Sequence, residues 1–318
     1  MPVFWFLFFT SVISPITSQQ IFFGHSGEQA EKHYRVVDPL FSSISPAQVV
    51  PDHIPRPAYV FNNGEEESPS KILIKNASEI DAIAASCSLV RSVLKHLKEF
   101  VQDGKTTDEI DAYAHKLIIQ GGAYPTPLKY HNFPKSICTS VNNIAIHGIP
   151  DSRKLANGDI ITIDVSVYLN GYHGDGAETF LIGEVDDAGR RLVEGAREIL
   201  YSAIECCRPG EQFIEIGRRV DTAAKKRGLH NLLSNCGHGI GKFLHEHPFI
   251  MINNTESGEC NETMQPGMVF AIEPLIGENC VECMRNFDNI TIMTTDFSRV
   301  AQFEHTIVIT EESYRILT

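Results

Sequence analysis

A β-hairpin is predicted by residues 160–182, which read IITIDVSVYLNGYHGDGAETFLI. Asn170-Gly171 lies between two alternating apolar runs. It is the dipeptide that a type I′ turn favours, because both central residues of that turn need positive φ. A turn of two residues places Leu169 opposite Tyr172. Since the turn sets the register of a hairpin, this one pairing fixes the others along the two strands.

Two acidic residues fall on one face of this hairpin. Counting back from the turn pairs Ser166 with Asp175, and Asp164 shares the face of Ser166 because side chains alternate along a strand. Asp164 and Asp175 are therefore diagonal neighbours, roughly 7–8 Å apart at Cα. Two carboxylates at this separation repel each other unless a cation lies between them. The hairpin thus predicts a metal site.

Composition narrows the class of protein. The chain has 318 residues, of which 42% are hydrophobic and 21% charged, as in soluble globular proteins with a substantial core. Its formal net charge of −13 argues against a nucleic-acid-binding protein, whose affinity depends on Lys and Arg at phosphates.

The eight cysteines are too scattered in a chain of this length to indicate a disulfide framework. Cys280-Val-Glu-Cys283 is the one C-x-x-C motif in the sequence. It lacks a second C-x-x-C or a His pair, so half of a zinc site is missing. We interpret it as a loop with two thiols, and a metal or redox role is the lesser alternative.

The N-terminal region divides into two segments before the main domain. Residues 1–18 contain an apolar run at 3–13 that is too short to span a bilayer and resembles the core of a targeting signal, although no Lys or Arg precedes it. Residues 19–70 are rich in proline, which favours extended conformations over a packed core, and we expect a flexible arm that lies over the body. We assign residues 71–318 to the main domain.

Periodicity and capping signals predict two helices followed by strands, twice over. Ser78 is the predicted N-cap of the first helix, Thr106 and Glu109 form a capping box for the second, and Gly121-Gly122 ends it. The other predicted elements are helices at 187–207 and 213–227 and strands at 137–141, 143–147, 268–276, 287–294 and 301–310. This order indicates an α+β fold in which two similar halves share one core.

Three further residues have side chains suited to a metal. His238 lies between glycines, while Glu273 and Glu304 lie among apolar strand residues. Taken singly, each is more often a surface acid or a structural histidine. An unpaired buried carboxylate costs several kcal/mol, however, and so needs a partner. Together with Asp164 and Asp175 they form a set that can hold two divalent ions of Mn, Fe, Co or Zn.

Eight segments carry these residues in order. They are FPKSICTSVNN from Phe133, HGIP from His147, GDIITIDV from Gly158, GYHGD from Gly171, GHGIG from Gly237, HEHP from His245, PGMVFAIEP from Pro266 and AQFEH from Ala301. In this order and spacing they resemble the type 1 methionine aminopeptidases of metallopeptidase family M24, over about residues 70–318. The arm, with PDHIPRPAYV from Pro51, is most similar to the mitochondrial form.

The resemblance implies the pita-bread fold, with antiparallel sheet covered by helices, and a dinuclear metal centre in a catalytic domain at 71–318. The family's metal ligands match Asp164, Asp175, His238, Glu273 and Glu304. Two further family histidines, which contact the substrate, match His147 and His245. In the implied hydrolysis, Glu273 is the general base, His245 stabilises the oxyanion and His147 contacts the scissile amide.

The resemblance also implies a pocket for the methionine side chain. Its lining matches Tyr130, Phe133 and Cys138, and sulfur–aromatic contacts suit a thioether. Three positions depart from the family pattern: Leu244 in place of an aromatic residue, Ile290 in place of Trp and Gly176 in place of Thr. A wider or reshaped pocket is expected to follow.

Three questions stay open at this point. The implied substrates are N-terminal Met peptides and nascent proteins, and the implied state is a monomer, but a related M24 aminopeptidase with another first-residue preference is an alternative. A non-catalytic pita-bread binding protein is a second alternative. It predicts that some metal ligands are lost, and none of the five is missing. The arm indicates a mitochondrial protein, whereas the apolar start leaves secretion open.

Overall fold

The computed structural model describes residues 34–38, 43–232, 235–251, 261–279 and 281–318. The predicted targeting segment and Cys280 lie outside these residues. Over the described ranges, helices alternate with antiparallel strands, which confirms the α+β class. None of the helices in this part of the chain combines the length and apolarity that a bilayer crossing requires.

Two pairs of helices precede two sets of strands, as the sequence predicts. The helices are α1 (Ala77–Phe100), α2 (Thr107–Gln120), α3 (Asp187–Ile204) and α4 (Ile214–Lys226). The strands are β1 (Tyr124–Pro125), β2 (Cys138–Val141), β3 (Ile144–Ile146), β4 (Ile160–Leu169), β5 (Tyr172–Leu181), β6 (His230–Asn231), β7 (Asn235–Gly239), β8 (Glu246–Met251), β9 (Val269–Ile272), β10 (Leu275–Gly277), β11 (Cys283–Arg285), β12 (Ile292–Thr294), β13 (Val300–Gln302), β14 (His305–Ile309) and β15 (Tyr314–Ile316).

The first helix begins earlier than predicted. Asn76, not Ser78, is the N-cap of α1, and its side chain accepts a hydrogen bond from the Glu79 amide while the Glu79 side chain accepts one from the Asn76 amide. The assignment to Ser78 is wrong because Asn76 caps as well as Ser and has Glu79 as a partner at the right spacing. The predicted capping box of Thr106 and Glu109 is confirmed at the start of α2.

The hairpin forms with the predicted register. In the β4–β5 ladder, Leu169 faces Tyr172 and Ser166 faces Asp175. Asn170 has a φ of 53° and Gly171 a φ of 87°, as a type I′ turn requires. Both β1 and β2 also pair with β4, and α1 packs against the hairpin. The strand that carries Asp164 is therefore held on its neighbours along its length.

Two predicted strands are each broken in two. The segment 268–276 divides into β9 and β10 at Glu273-Pro274, because proline has no amide proton for a ladder. The segment 301–310 divides into β13, which pairs with β10, and β14, which pairs with β9. Glu304 lies at this second break. Both glutamates therefore sit where the chain passes from one sheet to the next.

The sequence also missed β7 and β8. They belong to a five-stranded sheet of order β15-β14-β9-β7-β8, and β7 carries His238. β7 is rich in glycine and β8 contains Pro248, and both residue types have low β-propensity, which hides these strands from sequence patterns. The predicted strand at 287–294 shortens to β12 because the Asp288 side chain accepts hydrogen bonds from two amides in a turn, those of Ile290 and Thr291.

Two hydrophobic clusters combine residues of both halves, in agreement with the expectation of a shared core. One of them packs Ile83, Cys87 and Tyr124 of the first half with Ile240, Val269 and Val308 of the second. In the second half, Phe213 before α4 packs edge to face on Phe270 of β9, with ring centroids 5.1 Å apart. A separate cluster packs α1 and α2 on β4. Polar bonds join the halves: Thr306 donates to the Asp175 carbonyl and the Glu304 amide donates to Ala177. Hydrogen bonds and apolar contacts therefore both join the halves.

The described part of the N-terminal arm packs against the body. Val50, Ile54 and Tyr59 are buried, and a short 3₁₀ helix at Ala58–Phe61 carries Tyr59. The expectation that the arm avoids a packed core is wrong for these residues, because their large apolar side chains bury area that an extended polyproline segment would leave in water. The boundary at residue 70 stays a prediction.

Candidate metal centre

The acidic residues predicted as ligands converge at the join between the halves. Asp164 and Asp175 come from the hairpin, and Asp164 faces Ala177 while Asp175 faces Ser166, so the two acids are diagonal as predicted. Glu304 approaches from the second half, tied by its amide to Ala177 at 3.0 Å. Glu273 is fixed through its own amide, which donates to Cys236 at 2.9 Å.

His238 faces the carboxylates from β7. Its Nε2 lies 3.6 Å from Glu273 Oε1 and 3.9 Å from Asp175 Oδ2. Its Nδ1 lies 3.0 Å from the Gly239 carbonyl oxygen. A proton on Nδ1 satisfies that carbonyl and leaves Nε2 with its lone pair toward the carboxylates. This is the orientation of a histidine that ligates a metal and is held by a backbone carbonyl.

The geometry fits a metal. Asp175, His238 and Glu304 each offer a ligand atom, and these atoms lie within 4.8 Å of one another. Asp164 Oδ1, Asp175 Oδ1 and Glu304 Oε1 are buried and have no hydrogen-bond partner among the described residues. Buried carboxylate oxygens of this kind are costly unless a cation binds them. The donor set of oxygens with one imidazole suits a hard or borderline divalent ion.

The shifted pKa values of these residues also favour a bound cation. Burial raises the pKa of Asp175 to about 6 and that of Glu273 to about 8, and the charge of Asp175 adds to the shift at Glu273. Burial and neighbouring carboxylates hold the pKa of Asp164 and of Glu304 well above the usual range. Burial lowers the pKa of His238 to about 4, so its imidazole is neutral, as ligation requires.

His245 lies beside this cluster. Its ring meets that of His238 edge to face, with centroids 4.4 Å apart. The Tyr130 hydroxyl lies 2.8 Å from His245 Nδ1. Burial, with the charge of His238 second, lowers the pKa of His245 well below its usual value. The ring is therefore neutral, and with Tyr130 as donor its proton is on Nε2.

His147 follows β3 with a φ of 58°, and burial lowers its pKa to about 3. Of the two predicted substrate histidines, His245 thus lies against the metal-ligand candidate His238. Contact of His147 with the substrate stays a prediction.

Replacing Tyr130 by Phe removes the hydroxyl that orients His245. We expect kcat/KM for a peptide substrate to fall roughly fivefold, since one hydrogen bond is worth about 1 kcal/mol. Tyr201→Phe is the matched control, because Tyr201 makes a similar bond at the surface, 3.2 Å from His305 Nε2. Steady-state kinetics that show equal activity for the two variants would refute this role.

The predicted methionine pocket is placed in part. Cys138 is buried and faces Asp164 across the β2–β4 ladder. Phe133 is buried in the loop of Tyr130, and its amide donates to the Tyr130 carbonyl. Of the three residues predicted from motif position, Cys138 thus lies beside Asp164 and Tyr130 beside His245, while Phe133 is tied to Tyr130. Their contact with a methionine side chain stays a prediction.

The three residues that depart from the family pattern differ in burial and packing. Leu244 is buried and Ile290 is half-buried. At Gly176, an added Cβ would lie 3.3 Å from Val90 Cγ1 and 3.4 Å from Thr318 Cγ2. A threonine there would crowd both neighbours, because Val90 and Thr318 already occupy the space next to Gly176.

Sequence reasoning missed Gln302 as a part of the site. Its Nε2 donates to Glu273 Oε2 at 3.1 Å, and the residue is buried. This bond lowers the pKa of Glu273 against the stronger effect of burial. The available signal was an amide side chain in the apolar strand β13, two residues before Glu304. Gln302 therefore orients one carboxylate oxygen of Glu273.

Comparison with known proteins gives the family. The model of metallopeptidase family M24 matches residues 81–311. The chain is 45% identical over 275 residues to the mitochondrial methionine aminopeptidase 1D of Danio rerio, covering 86% of this chain and 80% of that protein. It is 44% identical over 279 residues to the Homo sapiens protein of the same name, covering 88% and 82%.

A solved structure supports the same assignment. The methionine aminopeptidase of Rickettsia prowazekii superposes with a TM-score of 0.75 at 34% identity, covering 78% of this chain and 100% of that one. This likeness confirms the pita-bread fold that the sequence motifs imply. The chain therefore belongs to metallopeptidase family M24 and, within it, to the type 1 methionine aminopeptidases.

Proposed function

We propose that this protein removes N-terminal methionine from peptides and nascent proteins by metal-assisted hydrolysis. The observation that carries the proposal is the buried group of Asp175, His238 and Glu304, whose ligand atoms lie within 4.8 Å of one another. The proposed centre holds two divalent ions of Co, Mn, Fe or Zn, bound by these residues together with Asp164 and Glu273. Relatives at about this level of identity are named methionine aminopeptidases.

The bound ions would supply a nucleophilic water at neutral pH and positive charge for the developing oxyanion. Glu273 would hold and pass on the water's proton, and Gln302 fixes one of its oxygens. His245, with its proton on Nε2, can donate to the oxygen of the scissile carbonyl. His147 is proposed to contact the scissile amide.

The alternative is an M24 aminopeptidase with a different preference for the first residue. Leu244 and Ile290 favour it, because both replace aromatic side chains that the family uses near the methionine. A pocket with fewer rings binds the thioether with fewer sulfur–aromatic contacts. Both functions share the metal chemistry and differ in the first residue of the substrate alone.

A peptide panel across a metal series tests both. Purified protein is stripped of metal, reloaded with Mn, Fe, Co or Zn and given tripeptides X-Ala-Ser in which X is Met, Leu, Ala or Pro. We expect hydrolysis with at least one metal, with Met preferred by at least roughly tenfold, as a few sulfur–aromatic contacts allow. Equal rates for all X would favour the alternative, and no hydrolysis with any metal would refute the peptidase function.

The remaining assignments are also proposals. We propose a mitochondrial monomer with a targeting segment at 1–18, an arm at 19–70 and the catalytic domain at 71–318. The relatives from Danio rerio and Homo sapiens are named as mitochondrial proteins, which supports an organelle. Imaging of a C-terminal fusion would separate this location from secretion.

A further inference from the structure

The N-terminal arm reaches the loop that carries His245. Glu66 of the arm is half-buried, and its Oε2 accepts a hydrogen bond from the Leu244 amide at 3.0 Å. Leu244 immediately precedes His245. Glu66 therefore holds the backbone of the segment that carries His245.

Tyr59 of the arm makes a second contact with the site. It is fully buried, and its ring packs edge to face on Tyr130 with centroids 5.0 Å apart. Its hydroxyl donates to the Thr126 carbonyl. Since Tyr130 in turn bonds His245 at 2.8 Å, Tyr59 supports the residue that orients His245.

The loop around Tyr130 needs such support. Lys129, His131 and Asn132 have φ values of 69°, 45° and 67°. Residues other than glycine adopt this region at a cost, and they keep it where the surrounding structure holds them. The arm holds this loop through the His131 amide, which donates to the Gly64 carbonyl at 2.9 Å. Residues 59–66 thus contact two loops of the site, the loop that carries Tyr130 and the loop that carries Leu244.

We propose that residues 59–66 hold the substrate site in place, with Glu66 as the positioning residue of His245 and Tyr59 as the support of Tyr130. The inference rests on the proposed aminopeptidase function and extends the support of the site into the arm. Glu66 acts through the Leu244 amide and does not touch the substrate. Its loss should therefore displace a group that acts in the transition state, which lowers kcat more than it raises KM.

The test uses the full chain, loaded with metal, and four variants. Glu66→Ala removes the acceptor, whereas Glu66→Gln keeps an oxygen that can accept from Leu244. Glu65→Ala and Glu67→Ala are matched controls, because both residues are exposed neighbours in the same run. We expect kcat to fall roughly tenfold or more in Glu66→Ala, since small displacements of catalytic groups cost up to about a hundredfold. KM should change less than roughly threefold, and Glu66→Gln should restore most of the loss.

Hydrogen exchange supplies a readout that does not depend on activity. In metal-free protein, the Leu244 amide should exchange faster in Glu66→Ala than in wild type, Glu65→Ala or Glu67→Ala. Unchanged exchange, or a kcat in Glu66→Ala equal to that of the two controls, would overturn the inference. An inactive wild type with the expected exchange pattern would instead contradict the proposed function and leave the arm contact supported. Equal melting temperatures and metal affinities would separate a positioning role from a loss of fold.

Discussion

Asp175→Asn is expected to lower kcat/KM by roughly a thousandfold or more, because the metal contribution to such reactions is several kcal/mol. Asp175 offers a ligand atom to the buried group with His238 and Glu304, and it lies 3.9 Å from His238 Nε2. An amide has nearly the shape of a carboxylate but lacks its charge. Metal content and kinetics, measured on the same preparation, should fall together.

Asp81→Asn is the matched control for this change. Asp81 lies exposed on α1, and its replacement by Asn should leave metal content and kcat/KM unaltered. Binding of Mn or Co, followed by calorimetry, separates lost affinity from lost chemistry. Normal metal content together with normal activity in Asp175→Asn would mean that the carboxylate cluster is not the catalytic centre.

The hairpin could be predicted in detail because its signals are local. Asn170-Gly171 dictates the turn, and the two-residue period of a strand then fixes that Asp175 faces Ser166. These rules need no knowledge of the rest of the chain. The position of one acid relative to the other follows from the sequence alone, and the structure confirms it.

The arrangement of the other ligands depends on contacts between distant segments. His238 faces Asp175 because β7 pairs with β9, and a glycine-rich strand gives no local signal for such a pairing. Glu304 reaches Ala177 because the chain changes sheets between β13 and β14. Motif resemblance could name these residues as ligands, but it could not show which strands bring them together.

Glu66 illustrates the same limit more strongly. It lies in a run of three glutamates within a proline-rich segment, a pattern that predicts a solvated surface. Its neighbours Glu65 and Glu67 are indeed exposed. Only the docking of the arm distinguishes Glu66, since burial there follows from where Leu244 lies.

In the absence of metal, Asp175→Asn is expected to stabilise the protein that it inactivates. Burial raises the pKa of Asp175 from 3.8 to about 6, so ionising it in the folded chain costs about 3 kcal/mol more than in the unfolded chain. The folded state holds this proton more tightly, and stability from this group is lost as pH rises from about 4 to about 6. The Asn variant escapes that loss.

Thermal unfolding in the presence of a chelator, measured at several pH values, tests whether Asp175→Asn stabilises the metal-free protein. At pH 8 the variant should melt above wild type by roughly 4–5 °C, and the difference should shrink toward pH 4. The two proteins are compared at each pH because both also lose stability as pH falls. Buried histidines such as His238, whose pKa is lowered to about 4, cause this loss. Asp81→Asn should track wild type throughout.

Adding metal should reverse the order of the two proteins. Wild type gains binding free energy in the folded state, whereas Asp175→Asn binds more weakly and gains less. At pH 8 with saturating Mn, wild type should therefore melt above the variant. A variant that melts below wild type both with and without metal would show that Asp175 is held by protein partners and not by a cation. A reversal in the order of the two melting temperatures on addition of metal would therefore show that the buried carboxylates bind a cation.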